Sequence, residues 1–154
     1  MSKDLSIIRY TELPQQGPFR QQHVDFTLGK RSKLVSGILK LVQMVMKIML
    51  TTPGTDHFSP ELGTVIPSLL KRGVSQSGVQ LIKMDVMASL QDLERQIQDI
   101  QSAEVIPDDE RLQDIITRRV EYLPASAEWI IEISVSSLAG ERVSFDITPY
   151  LKGK

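Results

Sequence analysis

The segment from Leu34 to Leu50 constrains this chain more than any other. Leu34, Ile38, Leu41, Val45 and Ile48 follow the alternating four- and three-residue steps of a heptad seam. Val35, Leu39, Val42, Met46 and Met49 widen that seam. A helix built here, from about Ser32 onward, is therefore apolar over most of its circumference. Such a helix cannot lie with one side wet and needs neighbours on several sides. Two arrangements meet that demand: the central core helix of a small domain, or a helix whose surface is completed in part by another chain. Lys40, Gln43 and Lys47 interrupt the run, which falls short of the roughly 20 mostly uncharged residues of a bilayer span. The start, Met1-Ser-Lys-Asp-Leu-Ser, lacks the apolar stretch of a secretory signal.

The chain has 154 residues, enough for one domain that buries its core without a metal or a disulfide. The expected division is an extended N-terminal arm over residues 1–29 and a single α+β domain over 30–154. Within the arm, Leu5–Tyr10 and Val24–Leu28 read as short strands, separated by Pro14, Gly17, Pro18 and several glutamines. An arm of this kind suits wrapping a neighbour.

Pro53-Gly54 stops the apolar helix, and Ser59-Pro-Glu61 starts a short one, with Ser59 as N-cap and Pro60 in the first helical position. The longest helix is expected at 78–101, where Val79, Ile82, Val86, Leu90, Leu93, Ile97 and Ile100 form one apolar stripe with a wet back. Pro107-Asp-Asp-Glu110 predicts a further helix over about 108–122, acidic at its positive end and carrying Arg118 and Arg119 at its negative end. Its inward residues would be Leu112, Ile115, Ile116, Val120 and Leu123. The tail reads as a β-hairpin: Trp129, Ile131, Ile133 and Val135 alternate with polar neighbours, Gly140 marks the turn, and Val143, Phe145 and Ile147 alternate again. The expected fold is thus α+β, helices packed on a small antiparallel sheet with a C-terminal hairpin. A terminal hairpin leaves unpaired backbone groups that another chain's strand can satisfy.

Chemistry is harder to find. Eighteen basic and nineteen acidic residues give a formal charge of −1, with no global field for nucleic acid or an anionic membrane. Zero cysteines exclude disulfides and thiolate chemistry, and aromatics at 5% offer no stacking platform for bases. His23 and His57 lie on different segments without ligand spacing. Asp56 and Glu61 could be read as a carboxylate pair, but nineteen acids always place some pair close. There is no phosphate loop, nucleophile elbow or dinucleotide fingerprint. Lys30-Arg-Ser-Lys33 is the only basic cluster. No metal, cofactor or catalytic residue is expected.

One pattern does carry a likeness. Leu50-Thr-Thr-Pro-Gly54 followed by Phe58-Ser-Pro-Glu-Leu-Gly63, set between a long apolar helix and a second helix with a C-terminal hairpin, resembles the baseplate wedge family of contractile phage tails. These are tail-lysozyme-like sheath initiators with type VI secretion counterparts. Thr51, Gly54, Pro60 and Gly63 match the family's loop, with Gly54 suited to the positive φ of a helix C-cap. The chain departs from the family at Thr55-Asp56, where Glu-Arg is usual, and at Leu62, where an aromatic is usual. The family's Glu-Pro-Arg motif, between the last helix and the hairpin, is replaced at Val120-Glu-Tyr-Leu-Pro-Ala125, with Glu121 as its nearest remnant.

The resemblance implies a non-enzymatic structural subunit of the virion tail baseplate, assembled in the host cytoplasm in six copies. Its partners would be other wedge subunits and the tail sheath protein, extending to tube or hub proteins, without nucleic acid or membrane. Leu34, Ile38, Leu41, Val45 and Ile48 would enter a multi-chain bundle, and the strand of Val143, Phe145 and Ile147 would pair with the sheath. Two alternatives stand beside it: a peptidoglycan hydrolase using Glu61, and an adaptor that dimerises through the long helix.

Overall fold

The apolar segment forms α1 (Ile38–Met49), in which Leu41, Val42, Gln43, Val45, Met46, Ile48 and Met49 are buried. The computed structural model describes residues 4–5, 8–12, 21–26, 34–71 and 76–147. Within them, the neighbours that cover α1 all belong to this chain. They are α3 (Gln76–Ser102) and two strands, β6 (Glu128–Ser137) and β7 (Arg142–Ile147). Each fully buried aliphatic side chain here contributes about 1.5–3 kcal/mol. Leu41, Val45 and Ile48 are therefore core residues, and the seam needs no second chain to bury it. Ile38 packs against the same core from its margin.

Leu34 is not in the helix. It lies in β4 (Leu34–Val35), opposite Leu5 of β1 (Asp4–Leu5) in a two-stranded antiparallel pair. Gly37, the N-cap of α1 at φ 65°, separates strand from helix. The helix thus begins at Ile38, four residues later than the first position of the heptad spacing.

The stripe expected on the long helix is borne out. Ile82, Val86, Leu90, Leu93 and Ile97 are buried in α3, and Val79 and Ile100 pack against the core. Its back is less wet than expected, because Leu81, Met84 and Met87 are exposed there. At ~1.5 Å per residue a helix of 27 residues runs about 40 Å. Between the long helices, α2 (Ile66–Leu70) carries Pro67 in its first turn. The helix expected to start at Pro60 is a single turn closed by Leu62 N–H to the Ser59 carbonyl, 3.1 Å.

The helix predicted over 108–122 is a strand, β5 (Leu112–Leu123). Two bulges explain the misreading. The pairing of β5 with β6 shifts register between Leu112 and Asp114 and again between Thr117 and Arg119. A bulge inserts one residue and resets which face the next side chain takes. Leu112, Ile115, Val120 and Tyr122 consequently reach the core side at spacings of three, five and two that imitate a helix. Ile115, Ile116, Thr117 and Val120 are β-branched and favour the strand. Ile116, expected inward, is exposed.

The C-terminal sheet is therefore a meander, β5–β6–β7. The face expected for its last two strands holds: Trp129, Ile131, Ile133, Val135, Phe145 and Ile147 are all buried, with Val143 packed alongside. Ile131 sits opposite Ile147, Ile133 opposite Phe145, and Val135 opposite Val143. Tyr122 and Trp129 meet with ring centroids 5.2 Å apart. The arm supplies two more strands, β2 (Ile8–Glu12) and β3 (Gln21–Phe26), which form an antiparallel hairpin. The full sheet order is β2-β3-β7-β6-β5. The fold is α+β, with helices on one face of this sheet. The sheet is mixed, because β3 runs parallel to β7.

Candidate functional site

Three features of the surface are built by specific residues: a stapled loop, a clasp between helices and sheet, and the two edges of the meander. The loop spans residues 51–64. Thr64 N–H bonds the Thr51 carbonyl at 2.9 Å and Gly54 N–H bonds the Pro60 carbonyl at 2.8 Å, closing it twice across its neck. Gln96 of α3 then holds Gly63 on both sides, accepting its N–H at 3.1 Å and donating to its carbonyl at 3.0 Å. Thr51 Oγ1 donates to the Lys47 carbonyl at the end of α1. Thr64 Oγ1 donates to Met49 and accepts from Ile66 N–H at the start of α2. All four loop residues singled out in the sequence thus take part in this closure: Thr51, Gly54, Pro60 and Gly63. Gly54 has the expected positive φ, 84°, but it turns the loop; the C-cap of α1 is Leu50, in helical conformation.

At the loop's tip Phe58 is 98% exposed. Asp56 accepts the Phe58 N–H at 2.9 Å, so its carboxylate shapes a turn. His57 and Glu61 are exposed on the same loop. Among the described residues no group of three or more acidic, histidine or cysteine side chains is placed to hold a metal ion. No described helix is long and apolar enough to cross a membrane.

The clasp is the connection between α3 and β5, residues 103–111, which sequence reasoning missed because it expected a helix from about residue 108 onward. Glu110 is 4% exposed. One carboxylate oxygen pairs with Lys40 Nζ at 2.8 Å, and the other accepts the N–H of Gly37 at 3.3 Å, at the positive end of α1. Gln101 of α3 donates to the Glu110 carbonyl at 3.0 Å and accepts Leu112 N–H at 2.7 Å. The turn between β6 and β7 joins in, with Leu138 N–H on the Arg111 carbonyl and Ala139 N–H on that of Asp108. One connection therefore ties α1, α3 and the sheet together. Glu121, expected at such a junction, lies within β5 and pairs with Arg119.

The edges of the meander differ. At β5, α3 covers the first residues: Glu94 accepts Ile115 N–H at 3.2 Å and Gln98 donates to the Gln113 carbonyl at 3.4 Å. Further along, the second bulge and the charged Arg118, Arg119 and Glu121 follow. Bulges and charges are the usual means of blunting an edge. In contrast, β7 pairs with β6 without a register shift over all six of its residues and contains no proline, although it too carries charges, Arg142 and Asp146. Its outer edge takes an added strand, β3, with Gln21 opposite Ser144, Gln22 opposite Phe145 and His23 opposite Asp146.

Of the residues expected to meet partners, Leu41, Val45, Ile48, Phe145 and Ile147 are buried in the chain's own core. The structure brings Val143, Phe145 and Ile147 together on β7, where the backbone, not these side chains, faces the edge. Compared with models of known protein families and with curated proteins, the chain matches none.

Proposed function

We propose that this chain is a non-enzymatic structural subunit of a contractile-tail baseplate, of the wedge and sheath-initiator kind. It templates the sheath by accepting a strand along β7. The observation that carries this reading is the β7 edge, which pairs without a register shift and already engages an added strand, β3, in parallel. The element order supports it, since an apolar helix, a Gly/Pro loop, a short helix, a long helix and a terminal sheet follow one another as in the family it resembles. With β5 recognised as a strand, the junction of last helix and sheet moves to 103–111.

The proposed partners are the tail sheath protein at β7 and other wedge subunits elsewhere, six copies surrounding the tail axis in the virion. Contact with wedge neighbours falls to surfaces other than the buried α1 seam. Immuno-gold or Fab labelling of contractile particles, imaged in negative stain, tests the reading. A ring of label where sheath meets baseplate is expected, and particles that never carry the label would overturn it.

A second reading, an adaptor dimerising through α3, is favoured by the exposed Leu81, Met84 and Met87. Sedimentation equilibrium of the isolated chain separates the two, because a self-complete dimer fits only the adaptor.

A further inference from the structure

The fold buries only one face of the long helix α3. Ile82, Val86, Leu90, Leu93 and Ile97 point into the core. On the opposite side Leu81, Met84 and Met87 keep 65%, 60% and 48% of their surface in water, and Ala88 and Gln91 are exposed beside them. Leu81, Met84, Ala88 and Gln91 follow steps of three, four and three, so they line up as a second heptad seam, with Met87 on its border. Other large apolar side chains exposed among the described residues, such as Phe58, Val105 and Leu138, stand apart on loops and turns. A contiguous exposed stripe on one helix marks an interaction face.

The charges beside this seam decide what it can take. One flank carries Asp85, Asp92 and Asp99, seven residues apart and all exposed, as a single acidic row. Asp92 pairs with Arg95 of the same helix at 3.2 Å, both largely in water, a weak pair that a partner's cation can replace. The other flank carries Gln80, Met87 and Glu94, and Glu94 is occupied by Ile115 N–H of β5. Neither row contains a lysine or arginine, and Lys83 sits beyond Met87, away from the acidic row.

A second copy of this chain is therefore a poor occupant. Two-fold antiparallel pairing sets each flank against itself, so aligning the apolar turns of two copies places Asp85 beside Asp85. Parallel pairing sets the acidic row against Gln80, Met87 and Glu94. No cation of the opposing flank meets the aspartates in either arrangement.

We propose that this face of α3 receives an amphipathic helix of a different protein. That helix covers Leu81, Met84 and Met87 with an apolar stripe and meets Asp85 and Asp92 with a row of lysines or arginines. Apolar burial supplies the attraction, and the acidic row selects which helix is accepted and in which register. The footprint ends where Glu94 and Gln98 turn to β5, leaving about three helical turns for the partner. It shares no residue with β7, so it stands or falls separately from the docking of a strand there.

The test uses the full-length chain and two fluorescein-labelled peptides of about 20 residues, long enough to hold a helix. Both carry leucine along one face and alanine on the opposite face; the flanks are lysine in one and glutamate in the other. Fluorescence anisotropy at low salt should show the lysine peptide binding at least about tenfold more tightly. Met84→Glu should abolish binding, and Asp85→Lys with Asp92→Lys should reverse the preference. All three positions are exposed, so the variants should melt like the wild type by circular dichroism. Equal binding of the two peptides, binding of neither, or no effect of Met84→Glu would overturn the proposal. So would a wild-type dimer in sedimentation equilibrium that Met84→Glu dissolves, because the face would then belong to a second copy.

Discussion

Replacing Gly63 by alanine should cost far more than the same change at Gly54, although both glycines have positive φ. Gly63 sits at φ 130°, and a Cβ there would lie 2.5 Å from the Thr51 carbonyl oxygen and 3.0 Å from the Pro53 nitrogen. Those are backbone atoms at the neck of the loop, and Thr51 is already committed to Thr64 N–H, so neither can retreat without opening the closure. Backbone strain of this kind costs about 1–3 kcal/mol, and forcing atoms into a filled space costs about 1–3 kcal/mol more. A loss of about 3 kcal/mol is expected. At roughly 2–4 °C per kcal/mol for a chain of this length, Tm should fall by about 6–12 °C. Gly54, at φ 84°, has open space where its Cβ would go, so Gly54→Ala should lose only about 1 kcal/mol. Circular dichroism melts of the two variants, with urea titration for the free energies, make the comparison. Gln96→Ala should cost about 1–3 kcal/mol by stripping both partners from Gly63, and less in the Gly63→Ala background, because the two act on one closure. A Gly63→Ala protein no less stable than Gly54→Ala would refute the stapled loop.

Three further outcomes are expected. Glu110→Gln removes the charge that pairs with Lys40 and caps α1; because Lys40 keeps 23% of its side chain in water, the loss should be about 1–2 kcal/mol in urea, and an unchanged midpoint would deny the clasp its role. Phe58→Ala should shift stability by less than about 0.5 kcal/mol, since the ring is 98% exposed; a marked fall in Tm would mean the loop packs differently. Val45→Asp places a carboxylate at a position with 0% exposure and should leave the chain unfolded on its own, by far-UV circular dichroism, before any partner is added. A folded Val45→Asp monomer would contradict the internal seam.

What could be read in advance divides along a physical line. The α3 stripe from Val79 to Ile100 and the alternation of Trp129–Val135 and Val143–Ile147 were legible because uninterrupted elements keep one period, 3.6 or 2. β5 was not, because two bulges broke its period of 2 into spacings that fit a helix equally well. The loop glycines and Pro60 stood out as turn formers, but Gln96, which holds Gly63 from 33 residues away, gave no local signal. Glu110 was read as a helix-opening acid; its actual partners, Gly37 and Lys40, are 73 and 70 residues distant. The pairing of β3 with β7 joins opposite ends of the chain, and no periodicity reports it.

The internal burial of α1 changes what the apolar character of that helix means. A helix greasy on most sides fits an inter-subunit bundle and a domain centre equally well, and α3, β6 and β7 fill the space around it. Its composition then carries no weight for assembly. The weight passes to other features: the exposed Leu81, Met84 and Met87 on α3, Phe58 on its loop, and the edge of β7, on which β3 adds as a strand. These differ in kind. Apolar side chains exposed singly are common on soluble proteins, whereas a regular strand edge without bulge or proline is one that folded chains usually cover. This chain bends β5 with two bulges, whereas β7 stays regular and carries β3 in parallel along its outer edge. That asymmetry within one small sheet fits the proposed subunit, which would receive a strand on one side only.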